Sequence, residues 1–127
     1  MGKVHISPGG HPASSVTTQK IAASNSAQVL TTAASLTVDA DGRVNDGATG
    51  RRVIGARISI ETNDIRYAMN VDPVLTGGSE KGDVAAVGDD VILRTESQVR
   101  AFRFINKTSG SNGVLMVTFT VSDTTVP

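Results

Sequence analysis

Apolar and polar residues alternate with a period of two along several short stretches of this chain, the spacing at which successive side chains leave a strand on opposite faces. In Ala56-Arg57-Ile58-Ser59-Ile60-Glu61 the apolar set faces a core, while Arg57, Ser59 and Glu61 face water or a neighbour. After Asn63-Asp64 the alternation resumes with Ile65, Tyr67, Met69 and Val71 on one face, and it stops at Asp72-Pro73 because proline has no amide for a ladder. Asn63-Asp64 is either a tight hairpin or a bulge in one long strand. Ser35-Leu36-Thr37-Val38 is a half-buried strand ending at Asp39-Ala40-Asp41-Gly42. The turn Gly88-Asp89-Asp90 leads into Val91-Ile92-Leu93, and two more strands are predicted over residues 99–106 and 114–121. Leu115, Val117, Phe119 and Val121 form the inner face of the last one.

Between the strands lie polar, glycine-containing connections at residues 39–50, 76–82 and 107–113. Residues 16–38 are rich in Ser, Thr and Ala. A helix there would place Ala23, Ala27, Leu30 and Ala34 on one face, but the Ser, Thr and Asn side chains compete for backbone hydrogen bonds, so strands are preferred. With no helix predicted, the pattern indicates an all-β chain folded as an antiparallel sandwich or barrel. Residues 1–15 carry Pro8-Gly9-Gly10 and Pro12 with no periodic apolar face, and read as an extended N-terminal arm that gains order against a partner. Residues 16–127 make a single domain. The one tyrosine and three phenylalanines, Tyr67, Phe102, Phe104 and Phe119, all fall in the second half of the chain, which should hold the organising core.

Composition removes several function classes. The chain has 127 residues and no cysteine, so disulfides, thiolate metal sites and a cysteine nucleophile are excluded. Twelve Lys plus Arg balance twelve Asp plus Glu, which argues against nucleic acid as a partner, since phosphate binding draws on a net basic surface. No apolar run approaches the roughly 20 residues that span a bilayer, and Met1-Gly2-Lys3-Val4-His5-Ile6 leads into Ser, Pro and Gly rather than a signal-peptide core. A protein made in the cytoplasm and not bound to membrane is expected.

No catalytic constellation emerges. His5 and His11 both lie in the arm, no serine sits in a G-x-S-x-G elbow, and Asp89 and Asp90, being adjacent, would point to opposite faces of a strand. Asp39, Asp41 and Asp46 resemble a calcium loop superficially, but the twelfth position from Asp39 is Gly50 instead of a bidentate glutamate, so a solvated turn is the better reading. Neither an enzyme nor a cofactor is expected, and a small-molecule ligand is not favoured. Arg57, Arg66, Arg100 and Arg103 lie in predicted strands, where a planar donor can pair with carboxylates or carbonyls of a neighbouring chain. With Val4 and Ile6 of the arm, they are the candidate protein-interface residues.

The segments Ile65-Arg66-Tyr67 and Phe102-Arg103-Phe104-Ile105, with the loop from Pro73 to Gly78, the Gly88-Asp89 turn, the short strand Val91-Ile92-Leu93 and the final strand from Val114, resemble small virion proteins of tailed bacteriophages. The likeness is greatest to capsid decoration or cement proteins, and covers roughly the second half of the chain. An aspartate-glycine step common after the I-R-Y strand is replaced here by Asn70-Val71-Asp72-Pro73. The resemblance implies a jelly-roll-like sandwich that binds the outside of an assembled shell, bridges major capsid protein subunits and acts as a homo-oligomer, dimer or trimer, located on the virion. Alternatives are a tail, adaptor or fibre component, or a carbohydrate-binding sandwich used for adhesion. The last is disfavoured by a chain with no tryptophan and one tyrosine.

Overall fold

The computed structural model describes residues 14–47, 49–75 and 81–122. Most of the predicted arm, with His5, His11, Val4 and Ile6, lies outside the described residues, as does most of the predicted turn at 76–82. The described chain is all-β and antiparallel. Its strands are β1 (Ser14–Ala22), β2 (Gln28–Val29), β3 (Leu36–Val38), β4 (Val44–Asp46), β5 (Val53–Thr62), β6 (Ile65–Met69), β7 (Asp83–Ala85), β8 (Asp90–Leu93), β9 (Phe102–Asn106) and β10 (Val114–Ser122). Two four-stranded sheets, ordered β1-β10-β5-β8 (sheet A) and β2-β9-β6-β7 (sheet B), enclose one core, and β3 pairs with β4 as a separate hairpin. Ser14 and Ser15, at the end of the predicted arm, are the first residues of β1.

Along β5 and β10 the period-two pattern places its apolar residues as expected, whereas on β3 Leu36 is partly buried and Val38 is exposed. Ala56, Ile58 and Ile60 of β5 and Leu115, Val117, Phe119 and Val121 of β10 are buried on the inner face of sheet A. Facing them from sheet B are Ile65, Phe102, Phe104 and Ala85, with Tyr67 stacked on Phe102 at 5.5 Å and Phe102 on Phe104 at 5.9 Å between ring centroids. Such offset ring pairs add about 0.5–1.5 kcal/mol to the burial of their area.

Four expectations are corrected. Asn63-Asp64 is neither a hairpin nor a bulge, because β5 belongs to sheet A and β6 to sheet B. Asn63, at φ 53°, turns the chain across the sandwich. Burial on β6 follows the expected face only as far as Tyr67: Met69, at the end of the strand, and Val71 beyond it are both exposed. Residues 39–50 are not one loop: β4 lies within them, buried at Val44 and Asp46 but with too few apolar residues to announce itself. Two short helices also occur, α1 (Leu30–Ala33) and α2 (Glu96–Ala101). The start of α2 is written in Thr95-Glu96-Ser97-Gln98, a threonine with a glutamine three residues on; Thr95 Oγ1 accepts from Gln98 N at 3.2 Å and caps the first turn. Arg100 therefore sits in the last turn of a helix and not in a strand.

Candidate protein-interaction face

Cross-strand partners in an antiparallel sheet share a face, so register sorts the four candidate arginines. On sheet B, Arg66 is opposite Ile105 on one side and Val84 on the other, while Arg103 is opposite Val29 and Ala68. These six residues form two adjacent rows on the outer face, because their neighbours Phe102, Phe104, Ile65 and Ala85 point into the core. Ile105 is only 6% exposed although it stands outside the core cluster. Its cover has to come from the outer face itself, where the aliphatic stems of long arginine side chains commonly shield apolar neighbours. Val84, at 43% exposed, leaves the edge of the rows apolar and open.

Both arginines on this face have hydrogen-bonding capacity to spare. Arg66 Nη1 donates to Gly82 O at 3.3 Å, and Arg103 Nη1 to Asp72 Oδ1 at 2.9 Å. The Nε atoms of both are buried without an acceptor. A guanidinium offers five donors, and both half-buried arginines keep part of theirs at the surface, where an acceptor on a partner can reach them. The Arg103–Asp72 pair is exposed on the aspartate side and is by itself a weak stabiliser.

The other two candidates lie elsewhere. Arg57 is on the outer face of sheet A, where it donates to Asp90 Oδ2 from Nη2 at 2.7 Å and from Nε at 3.2 Å, while Ser59 Oγ donates to Asp90 Oδ1 at 2.8 Å. The Arg57 hydrogen bond, followed by that of Ser59, holds the Asp90 carboxyl below its ordinary range. Close by, Ile54, Gly55, Ile92, Thr120 and Arg94 line a shallow depression of about 350 Å³. Arg100 lies over Gly42, where an added Cβ would stand 3.2 Å from its Nη1. The structure thus brings Arg66 and Arg103 together and separates them from Arg57 and Arg100.

The aspartates that resemble a calcium loop are used locally. Asp39 Oδ1 accepts from Asp41 N at 2.9 Å and Arg43 N at 3.0 Å, closing the turn around Gly42 at φ 80°, and these backbone donors, Arg43 first, lower the Asp39 pKa. Among the described residues no group of three or more His, Asp or Glu is placed to hold a metal ion, and no helix is long and apolar enough to cross a membrane.

Sequence reasoning missed a buried polar hub. Asn106, fully buried at the end of β9, donates from Nδ2 to Asn25 Oδ1 at 2.9 Å and Asn112 Oδ1 at 2.8 Å, and accepts from Gly113 N at 3.1 Å. It ties the β1–β2 connection to the β9–β10 loop. Nothing local in the sequence marks these three asparagines as a set.

No protein-family model matches this chain, and comparison with curated proteins and with solved structures finds no match either.

Proposed function

We propose that this chain is a structural virion protein of a tailed phage that docks on the outside of the capsid and bridges major capsid subunits, stabilising the shell without catalysis. The observation that carries the reading is the outer face of sheet B, where Arg66 and Arg103 sit side by side in apolar rows with part of each guanidinium at the surface. Such a face suits a protein partner that supplies carboxylates or carbonyls between apolar groups. The motif resemblance of the second half of the chain supplies the class of partner.

Strand order supports the jelly-roll part of the reading. With the β3–β4 hairpin left aside, the eight strands counted along the chain run 1-8-3-6 in sheet A and 2-7-4-5 in sheet B. Of the seven links between them, only β6 to β7 stays within a sheet, a wrapping of two Greek keys. The adhesion alternative loses ground, because Phe102, Phe104 and Phe119 are buried and Tyr67 packs against the same core, leaving no open ring as a sugar platform. The arm, with Val4 and Ile6, is the second contact in this proposal, reaching a neighbouring subunit by strand addition. Many modest contacts repeated by symmetry then act together.

Co-sedimentation with mature shells and with purified tails of the encoding phage tests the location. Binding to shells alone is expected, and binding to tails alone would overturn the proposal in favour of an adaptor or fibre role. The double variant Arg66→Glu with Arg103→Glu should lose shell binding while keeping its far-UV spectrum, whereas Arg57→Ala on the opposite sheet should bind as the parent does. Equal loss in both would show that sheet B is not the docking face.

A further inference from the structure

The four rims of the two sheets are unequal. β8, β2 and β7 run for four, two and three residues. β1 runs for nine and pairs with β10 in unbroken register from Ser14↔Ser122 to Ala22↔Val114. A strand bonded on one side only leaves the amide and carbonyl of alternate residues directed outward. Among the described residues, no backbone hydrogen bond outside the ladders reaches β1.

Among the described residues the common protections of such an edge are missing. β1 has no proline, no bulge and a single charge, Lys20. Beneath it, Gln19 Oε1 accepts from Ser35 N at 2.7 Å, which holds the segment between α1 and β3 against the inner side of the strand. That segment does not hydrogen-bond to the strand's backbone edge.

We infer that β1 pairs antiparallel with β1 of a second copy across a two-fold axis, joining two copies of sheet A into one continuous sheet. Self-complementarity favours a copy of this chain over an unrelated strand. Full overlap of the nine residues centres the axis on Thr18 and sets Lys20 opposite position 16, which is uncharged, so no like charges meet across the seam. The overlap forms roughly eight to ten backbone hydrogen bonds, depending on which alternate set faces outward. The inference stands whether or not the protein binds a shell.

Sedimentation equilibrium of the full chain tests it, with Thr17→Pro and Thr18→Pro made separately. Of two adjacent strand residues, one directs its N–H to β10 and the other outward, so one proline should unfold the edge and its neighbour should leave the monomer's melting unchanged. The fold-retaining proline is expected to weaken dimerisation at least about tenfold, since it removes one outward donor from each copy. In the parent, amide hydrogen exchange should show alternate β1 amides gaining protection as protein concentration rises, a readout that needs no variant. A strictly monomeric or trimeric parent, a dimer that the fold-retaining proline leaves intact, or β1 exchange independent of concentration would each overturn the inference.

Discussion

Asn106 should be the polar side chain on which stability depends most. It is fully buried, and its amide group makes three hydrogen bonds, two donated to Asn25 and Asn112 and one accepted from Gly113 N. Asn106→Ala removes all three and leaves the Gly113 amide, in a buried setting, without its acceptor. Net losses of about 0.5–1.5 kcal/mol for each of the three bonds, together with about 1–3 kcal/mol for an orphaned buried donor, place the cost at about 2.5–7.5 kcal/mol. Asn106→Asp is the sharper probe because shape is kept while a donor becomes an acceptor. A carboxylate there would face the Asn25 and Asn112 oxygens with no donor between them, so it should cost at least as much at neutral pH. Burial and facing oxygens raise the pKa of that carboxyl in the folded state above its unfolded value. Its protonated form is therefore the one the fold tolerates: stability should recover as pH falls toward about 4 and be lost as pH rises through the folded value. Urea denaturation followed by far-UV circular dichroism measures both variants. At an m-value of about 1–3 kcal/mol/M, the midpoint for Asn106→Ala should drop by more than about 1 M with m unchanged. A loss under about 1 kcal/mol for the alanine variant, or an aspartate variant as stable as the parent at pH 7, would refute the reasoning.

Three other perturbations follow from the packing. Gly113→Ala would set a Cβ 2.5 Å from Ile65 Cγ2 and 3.0 Å from Asn63 O; a thermal melt should show a loss of about 1–3 kcal/mol, and none if the β9–β10 loop can shift freely. Phe119→Ala, emptying a fully buried site in β10, should cost about 3–5 kcal/mol in the same assay. Glu96 accepts from Val44 N at 2.7 Å and from Arg52 Nη2 at 3.0 Å. Burial acts to raise its pKa, but these hydrogen bonds and the nearby arginine charges outweigh burial and hold it below its ordinary 4.5. Its contribution is thus present above the unfolded value and lost as pH falls through the lower folded one. The stability gap between parent and Glu96→Gln, measured by urea titration, should be full at pH 7 and close below about pH 4; a gap independent of pH would contradict the ion pair.

The elements most legible in the sequence were those whose signal is local. β5 and β10 alternate strictly, and Ile58, Ile60, Leu115, Val117 and Phe119 are buried as the pattern requires. α2 carries a local signal of its own in the capping residues Thr95 and Gln98, which the strand predicted over residues 99–106 left unread. β4 offered one apolar residue, Val44, amid polar ones, too little for a periodic signal. For the candidate face, arginines beside aromatics on strands were visible, yet their distribution was not. Arg57, Arg66 and Arg103 look equivalent in sequence and separate only when register assigns Arg57 to sheet A and the other two to sheet B.

By itself, then, the sequence determined the β class, the inner faces of the long strands and the want of thiol chemistry, because alternation and composition are properties of neighbouring residues. Tertiary structure alone decided that Asn63 carries the chain from one sheet to the other, that Asn25, Asn106 and Asn112 meet, and that Arg66 and Arg103 share an outer face. Each of those depends on which strand lies beside which. Strand order follows from the closure of the whole core, and a period of two reads the same in either sheet.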